Sequence, residues 1–282
     1  MRFPFHLFLL FFFNSCDQKT EKEPTIFSLP HGYSLDEMER ITLPDELDEI
    51  SGIAWNQSQL MAIEDESAII FHTDPKTGKI LKKRKFEKNA DIEDILVRND
   101  TAWALRSNGN LYQIAHFSEE KTETKIFKFR NSNRLDFEAI VAGTQEPFIW
   151  IFCKICEWDE NPDRASIFKF DLETLRFDSL PSRTIERNQL RAFLSEKELK
   201  NLKIQPSAAA VHPLTKEYFL LSSTGNWLMT LDQTMIPKSV HLLNRSIFKQ
   251  PEGITFAPDG TLYISNEAGE GRATLLIFRY KP

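Results

Sequence analysis

Short runs of alternating apolar and polar residues, cut by turn residues, fill most of this chain. Gln250–Glu267 shows the pattern most clearly. Ile254, Phe256, Leu262 and Ile264 stand at the two-residue period of a strand. Pro258, Asp259 and Gly260 supply a turn between the two strands. The same shape recurs. Five stretches align on one position: Glu49–Ile53, Asp91–Ile95, Asp136–Ile140, Gln205–Ala209 and Gln250–Ile254. The shared place holds Ser51, Glu93, Glu138, Ser207 and Glu252, spaced by 42, 45, 69 and 45 residues.

Each of these positions opens a first strand. Second strands follow at Leu60–Ile63, Ala102–Leu105, Phe148–Phe152, Tyr218–Leu221 and Leu262–Ile264. Third strands follow at Ala68–His72, Asn110–Ile114, Ser166–Phe170, Trp227–Leu231 and Thr274–Phe278. Fourth strands are expected at Ile80–Phe86, Lys125–Phe129, Thr174–Asp178 and Ser239–Leu243. A period near 45 residues with four strands per repeat predicts an all-β fold, a β-propeller of five four-stranded blades. The fifth repeat lacks a fourth strand, and Ser34–Leu43 is a strand without a repeat. Closure of the last blade by this N-terminal strand accounts for both and leaves no open sheet edge. The long interval is read as a helical insertion near 185–203, where Ser195 and Glu198 have capping-box spacing. A sixth, degenerate blade is the alternative there.

Length and composition agree with one sizeable core: 282 residues, 41% hydrophobic and 27% charged. The net charge of −6 argues against a general affinity for nucleic acid. The first residues read as a targeting segment, with Arg2 before an apolar run, Phe3–Phe13, too short for the roughly 20 residues of a membrane span. The run ends at Ser15-Cys16 and is similar to a bacterial lipoprotein signal, which implies that Cys16 is lipidated. An ordinary signal peptide or an uncleaved anchor is the alternative. On the lipoprotein reading, residues 1–16 are the signal, 17–32 a polar tether, and 33–282 the propeller, held outside the cytoplasm at the bacterial cell envelope by a membrane anchor. Cys153 and Cys156 lack the partners of a zinc site. Residues three apart on a regular strand face opposite ways, so structural thiols are expected rather than a disulfide.

Leu47–Ile53, Asp91–Glu93, Arg106–Gly109, Pro206-Ser207, Val211–Pro213 and Gln250–Phe256 together resemble the SdiA-regulated, or YjiK-like, β-propeller family, over about Leu43–Tyr280. Asp94 and Ala139 stand where the family pattern has Gly. The resemblance implies an exported, membrane-associated bacterial propeller and no established reaction. More distantly the chain resembles NHL-type and gluconolactonase-like propellers, some of which hold a divalent cation in the central channel.

In a propeller, first-strand starts and second-strand ends converge on one rim. That rim would carry Glu49, Ser51, Asp91, Glu93, Asp136, Glu138, Gln205, Ser207, Gln250 and Glu252 from the first set. The second set is Glu64, Asp65, Glu66, Arg106, Ser107, Lys154, Ser222, Ser223, Asn266 and Glu267. Crowded carboxylates repel and need cations. Arg106 and Lys154 supply two, and hard oxygen ligands favour Ca²⁺ or Mg²⁺ over zinc, with Ca²⁺ the expected ion. The expected ligand-binding residues are Glu49, Asp65, Glu66, Glu93, Arg106, Glu138, Lys154, Ser207, Glu252, Asn266 and Glu267, with Glu138, Glu252 and Glu267 as metal ligands. Asn266 and Glu267, facing Arg106 and Lys154, are the positions that differ most between repeats. A purely structural ring of strand-start carboxylates is the alternative. The sequence therefore predicts a monomeric envelope module that binds a small ligand or an envelope protein. The rival is a metal-dependent hydrolase, of lactonase or phosphoesterase type. No nucleophile-elbow motif is present.

Overall fold

Second-strand runs such as Leu60-Met-Ala-Ile63 and Phe148-Ile-Trp-Ile-Phe152 are apolar on both faces, so their sheets need cover on both sides. The computed structural model, which describes residues 25–130, 135–145, 147–157, 159 and 162–282, supplies that cover by arranging the sheets as a ring. The signal residues, Cys16 among them, lie outside the described residues. Strand β1 (Glu39–Thr42) comes first. Blade 1 is β2 (Ile50–Asn56), β3 (Gln59–Glu64), β4 (Ile69–Thr73) and β5 (Ile80–Lys85). Blade 2 is β6 (Ile92–Arg98), β7 (Thr101–Arg106), β8 (Leu111–Ala115) and β9 (Glu123–Phe127). Blade 3 is β10 (Leu135–Ala142), β11 (Phe148–Cys156), β12 (Arg164–Asp171) and a divided outer strand, β13 (Arg176–Phe177) with β14 (Arg183–Glu186). A short helix, α1 (Glu196–Asn201), leads to blade 4: β15 (Ala208–Val211), β16 (Tyr218–Ser222), β17 (Trp227–Leu231) and β18 (Pro237–Leu242). Blade 5 is β19 (Pro251–Phe256), β20 (Leu262–Asn266) and β21 (Thr274–Phe278), completed by β1, which pairs antiparallel with β21 from Glu39↔Ile277 to Thr42↔Thr274. The five blades and the closure by the N-terminal strand are as the repeats predict.

One apolar cluster fills each seam between neighbouring blades. Ile63 and Ile70 meet Ile95 and Ala104 between blades 1 and 2, and Trp103 and Leu105 meet Ile140 and Ile151 between blades 2 and 3. Phe152 and Ile167 meet Tyr218 and Met229 in the next seam, and Phe219 and Leu228 meet Phe256 and Ile264 in the fourth. Tyr263 and Leu275 close the ring on Ile53 and Phe71. Polar stitches cross the same seams. Ser51 Oγ donates to the Ile92 carbonyl at 2.7 Å, and Asp94 Oδ2 accepts from Ile140 N at 2.8 Å. The Thr144 N–H donates to Tyr218 Oη at 3.0 Å. Ser207 Oγ donates to the Pro251 carbonyl at 2.9 Å, and Thr255 Oγ1 accepts from Trp55 N at 3.0 Å.

The inner strands share an irregularity. Their registers slip between Ile50 and Gly52, Ile92 and Asp94, Phe137 and Ala139, and Pro251 and Gly253. The extra residues are Ser51, Glu93, Glu138 and Glu252, the shared position of the repeats. In blade 4 the Ser207 N–H donates to the carbonyl of Leu221, the residue that pairs with Ala208. A β-bulge re-aims the side chain it inserts. The residue after the bulge abuts the next blade: a Cβ at Gly52 would sit 2.9 Å from Asp94 Cα. In blade 2 this place is Asp94 itself, and its side chain makes the stitch to blade 3.

Three expectations change. Cys153 and Cys156 form a disulfide, with Cα atoms 5.9 Å apart. The reason is a second bulge: Ile155 pairs with Asp136 and Cys153 with Phe137, so Lys154 is an uncounted residue and the two cysteines fall on one face. The insertion is only partly helical. Ile185 and Glu186 extend the sheet beside β12, a 3-10 turn covers Arg187–Leu190, and α1 follows with its Ser195–Glu198 capping box. The exposed half of β12 needed a hydrogen-bonded neighbour, and β14 provides it. The polar segment expected to be a tether up to residue 32 is bound to the propeller before that point: Ser28 N donates to the Leu242 carbonyl and Leu29 is buried in the seam of blades 4 and 5. Among the described residues, no helix is long and apolar enough to cross a membrane.

Asp94→Ala leaves the N–H groups of Ile95 and Ile140 without their acceptor in a buried seam. A loss of about 2–3 kcal/mol is expected in urea unfolding, against about 1 kcal/mol for Ser51→Ala. Alkylation of the unfolded, unreduced chain is expected to modify neither Cys153 nor Cys156, and both after reduction; modification without reductant contradicts the disulfide.

Candidate functional site

The bulges decide where the rim side chains go. Each inner strand starts at the same face of the ring, and each second strand returns to it. Glu93, Glu138 and Glu252 are bulge residues of β6, β10 and β19, while Ser51 and Ser207 hold the equivalent places in blades 1 and 4. Lys154 is the bulge residue of β11, almost opposite Glu138, and its Nζ donates to Glu138 Oε1 at 2.7 Å. Below this mouth the axis opens into a cavity of about 200 Å³ lined by all five inner strands, with Ile53, Ile95, Ile140, Ala209 and Ile254 among its walls. The mouth is acidic and the channel beneath it apolar.

Carboxyls are crowded in the mouth. Ligand oxygens of Glu93, Asp136 and Glu138 all lie within 4.8 Å of one another. Burial pushes the Glu93 carboxyl up to about 10, with Glu138 and Asp91 adding to the effect. Burial also raises Glu138 to about 7, the Lys154 ammonium holding it down against Asp136 and Asp91. Glu252 is raised to about 8 by burial and by Glu138, with Lys154 and the Ser223 side chain opposing. Glu267 is raised to about 7 by burial and by Glu49, which lies within hydrogen-bonding reach, and Gln250 Nε2 donates to Glu267 Oε2 at 3.0 Å. Asp65 is raised by burial and by Glu49 and Asp91. Burial alone would lower the Lys154 ammonium, but Glu138, Glu252 and Asp136 outweigh it and raise it. The Lys154 ammonium thus answers carboxyls of blades 3 and 5, while the main charges acting on Glu93, Asp65 and Glu267 are other carboxyls. Protons or a further cation must supply the rest of the compensation.

The carboxyl groups that converge closely enough to share a cation are Glu93, Asp136 and Glu138, against the expected Glu138, Glu252 and Glu267. Glu138 belongs to the observed triad, with Glu93 and Asp136; Glu252 and Glu267 stand beside it as neighbouring charges. Asp136 lies two residues before Glu138, and the period of a strand could have singled it out. Oxygen-only ligands at this spacing fit a hard cation such as Ca²⁺, whose Ca–O distances are about 2.3–2.6 Å. Asn266 is placed differently from Glu267. It is buried, and its Nδ2 donates to the Ile247 carbonyl at 3.2 Å and to Thr274 Oγ1 at 3.1 Å, which ties its amide to the blade 5 framework. Glu66 follows β3, where its N–H donates to Glu64 Oε2 at 2.9 Å. Arg106 ends β7, and its Nε is buried without a hydrogen-bond partner among the described residues. A second cluster among the described residues, Asp100, His116 and Glu119, lies exposed on blade 2.

No protein-family profile matches the chain, and no curated protein does so. Solved structures do. A streptogramin B lyase superposes with a TM-score of 0.51 at 12% identity, over 86% of this chain and 97% of its own. A glutaminyl cyclase of Myxococcus xanthus gives 0.54 at 7% identity, over 86% and 96%. A protein of unknown function from Bacteroides thetaiotaomicron gives 0.50 at 11% identity, over 77% and 52%. At such low identity these likenesses bear on the fold alone, and they agree with the strand order of this chain, a five-bladed β-propeller.

Proposed function

We propose that the mouth is a Ca²⁺ site held by Glu93, Asp136 and Glu138, and that the chain is a lipid-anchored binding module of the bacterial cell envelope. The observation that carries the first part is the triad itself, three carboxyl groups converging within 4.8 Å in a mouth whose other charges are mostly acidic. A cation there would neutralise Glu93 and Glu138 and draw Glu252 and Glu267 into its outer field. Its open coordination positions would then take an oxygen-bearing ligand or an acidic side chain of an envelope protein. Lys154 competes with the cation for Glu138. The disulfide fits an oxidising compartment, in keeping with export. The lipoprotein-like Ser15-Cys16 junction and the resemblance to SdiA-regulated propellers support the anchor.

Calorimetric titration of the full chain with Ca²⁺ tests the site. Glu138→Gln is expected to weaken binding at least tenfold. Lys154→Met, which removes the competitor, is expected to tighten it. Affinity should rise from pH 6 up to about pH 10, because the Glu138 proton, held at about 7, and the Glu93 proton, held at about 10, are both displaced by a bound cation. No heat at millimolar Ca²⁺ at pH 8 would falsify the cation reading.

Stability should carry the same signature. Glu93, Glu138 and Glu252 titrate near 10, 7 and 8 in the folded protein, against about 4.3 in an unfolded chain. Between those values the folded state holds more protons than the unfolded one. The stabilisation is complete below about pH 4 and is lost as pH rises through 7 and 8. Without divalent cations the melting temperature should therefore fall from pH 5 to pH 9, and Ca²⁺ should restore it at the alkaline end. A flat profile in chelator contradicts the assigned burial of these carboxyls.

A further inference from the structure

The insertion between blades 3 and 4 has no part in the mouth. Its helical portion is short, yet it is anchored firmly. Leu190, Leu199 and Leu202 are buried in the seam below it. The Trp227 indole N–H donates to the Lys203 carbonyl at 2.8 Å, and Arg187 donates to the Leu202 carbonyl through Nε at 3.0 Å. Arg187 is turned inward and ion-paired with Asp163, whereas the other basic residues of the segment lie at the surface, Arg191 with Glu196 3.7 Å away. Residues 187–203 contain five basic residues, Arg187, Arg191, Lys197, Lys200 and Lys203, and two acidic ones, Glu196 and Glu198. Glu198 is committed to the cap of α1, where it accepts from Ser195 N at 2.9 Å. Phe193 stands among these charges, 36% exposed.

The N-terminal segment arrives at the same corner. Thr25, Ile26 and Ser28 line a groove of about 440 Å³ together with Phe193, Leu194 and Lys197. Ile26 is 79% exposed and Phe27 42%. Apolar side chains therefore project from both walls of a basic corner at the outer edge of blade 4. Nine residues lead from Cys16 to Thr25, a chain length that reaches about 30 Å at full extension.

We propose that this corner is the surface by which the domain rests on an anionic lipid bilayer, with Ile26, Phe27 and Phe193 inserted at headgroup depth and Arg191, Lys197 and Lys200 paired with lipid phosphates. The proposal rests on the lipid anchor assigned to Cys16. Given that anchor, the short connection confines the corner to the neighbourhood of the membrane. The positive island on a chain of net charge −6 then selects which surface turns towards anionic headgroups. Aromatic and aliphatic side chains next to basic ones suit the bilayer interface, where apolar area is buried while the charges remain hydrated. The corner lies at the outer edge of blade 4, at the end of the blade where Leu242 pairs with Trp227 and Trp227 with Ser222.

The test uses the full chain, acylated in cells and reconstituted into vesicles of phosphatidylethanolamine and phosphatidylglycerol. Nitroxide labels are placed singly at Lys197→Cys, in the corner, and at Lys85→Cys, on the outermost strand of blade 1. Relaxation by oxygen and by a water-soluble nickel complex then reports the depth of each label. The Lys197 label is expected to be shielded from nickel severalfold more than the Lys85 label. Ile26→Asp combined with Phe193→Asp, both exposed positions, is expected to abolish that difference. Equal nickel access at both labels in acylated, vesicle-bound protein overturns the docking surface and leaves the anchor standing. Absence of fatty-acid incorporation, with Cys16→Ser as control, removes the anchor and the docking surface together.

Discussion

Like charges crowded into a partly buried mouth are the constraint on which the site depends. Glu93, Asp136 and Glu138 converge because each lies at or next to a break in strand register. Lys154 answers them because β11 has a break of its own. An isolated carboxylate in such a place would simply take up a proton. Here the arrangement is repeated around an axis, so the carboxyls raise one another and one ammonium cannot satisfy them all. The mouth thereby favours protonated carboxyls, and the proposed cation would take the place of those protons.

The same breaks serve the fold. The residue after each bulge lies against the neighbouring inner strand, which explains Gly52 in the first repeat and the Asp94 stitch in the second. Ser51 and Ser207 use the bulge position for seam hydrogen bonds, whereas Glu93, Glu138 and Glu252 use it for the mouth. One backbone device thus produces both the scaffold and the site. The alternative of a purely structural ring describes the serines of blades 1 and 4 well. Blades 2, 3 and 5 place carboxyls at the same position, and those of blades 2 and 3 converge.

The architecture is legible in the sequence because a propeller blade repeats its whole hydrophobic pattern, and because both the missing last strand and the spare first strand point to the same closure. The rim was legible for the same reason. What the pattern does not carry is register. Period-two reasoning places Cys153 and Cys156 on opposite faces, and a single uncounted residue, Lys154, reverses that. Ile185 reads equally well in a helix or a strand, and only the unpaired half of β12 decides. Asp136 was visible as part of the rim. Its place beside Glu138 and Glu93 follows from the two register shifts that flank Phe137 in β10.

The most direct measurement is anomalous diffraction from crystals grown with Mn²⁺ or Ca²⁺ at pH 8. The account predicts one strong peak on the axis within about 2.6 Å of oxygens from Glu93, Asp136 and Glu138. An empty mouth, with density only at the exposed Asp100, His116 and Glu119 cluster, would contradict it.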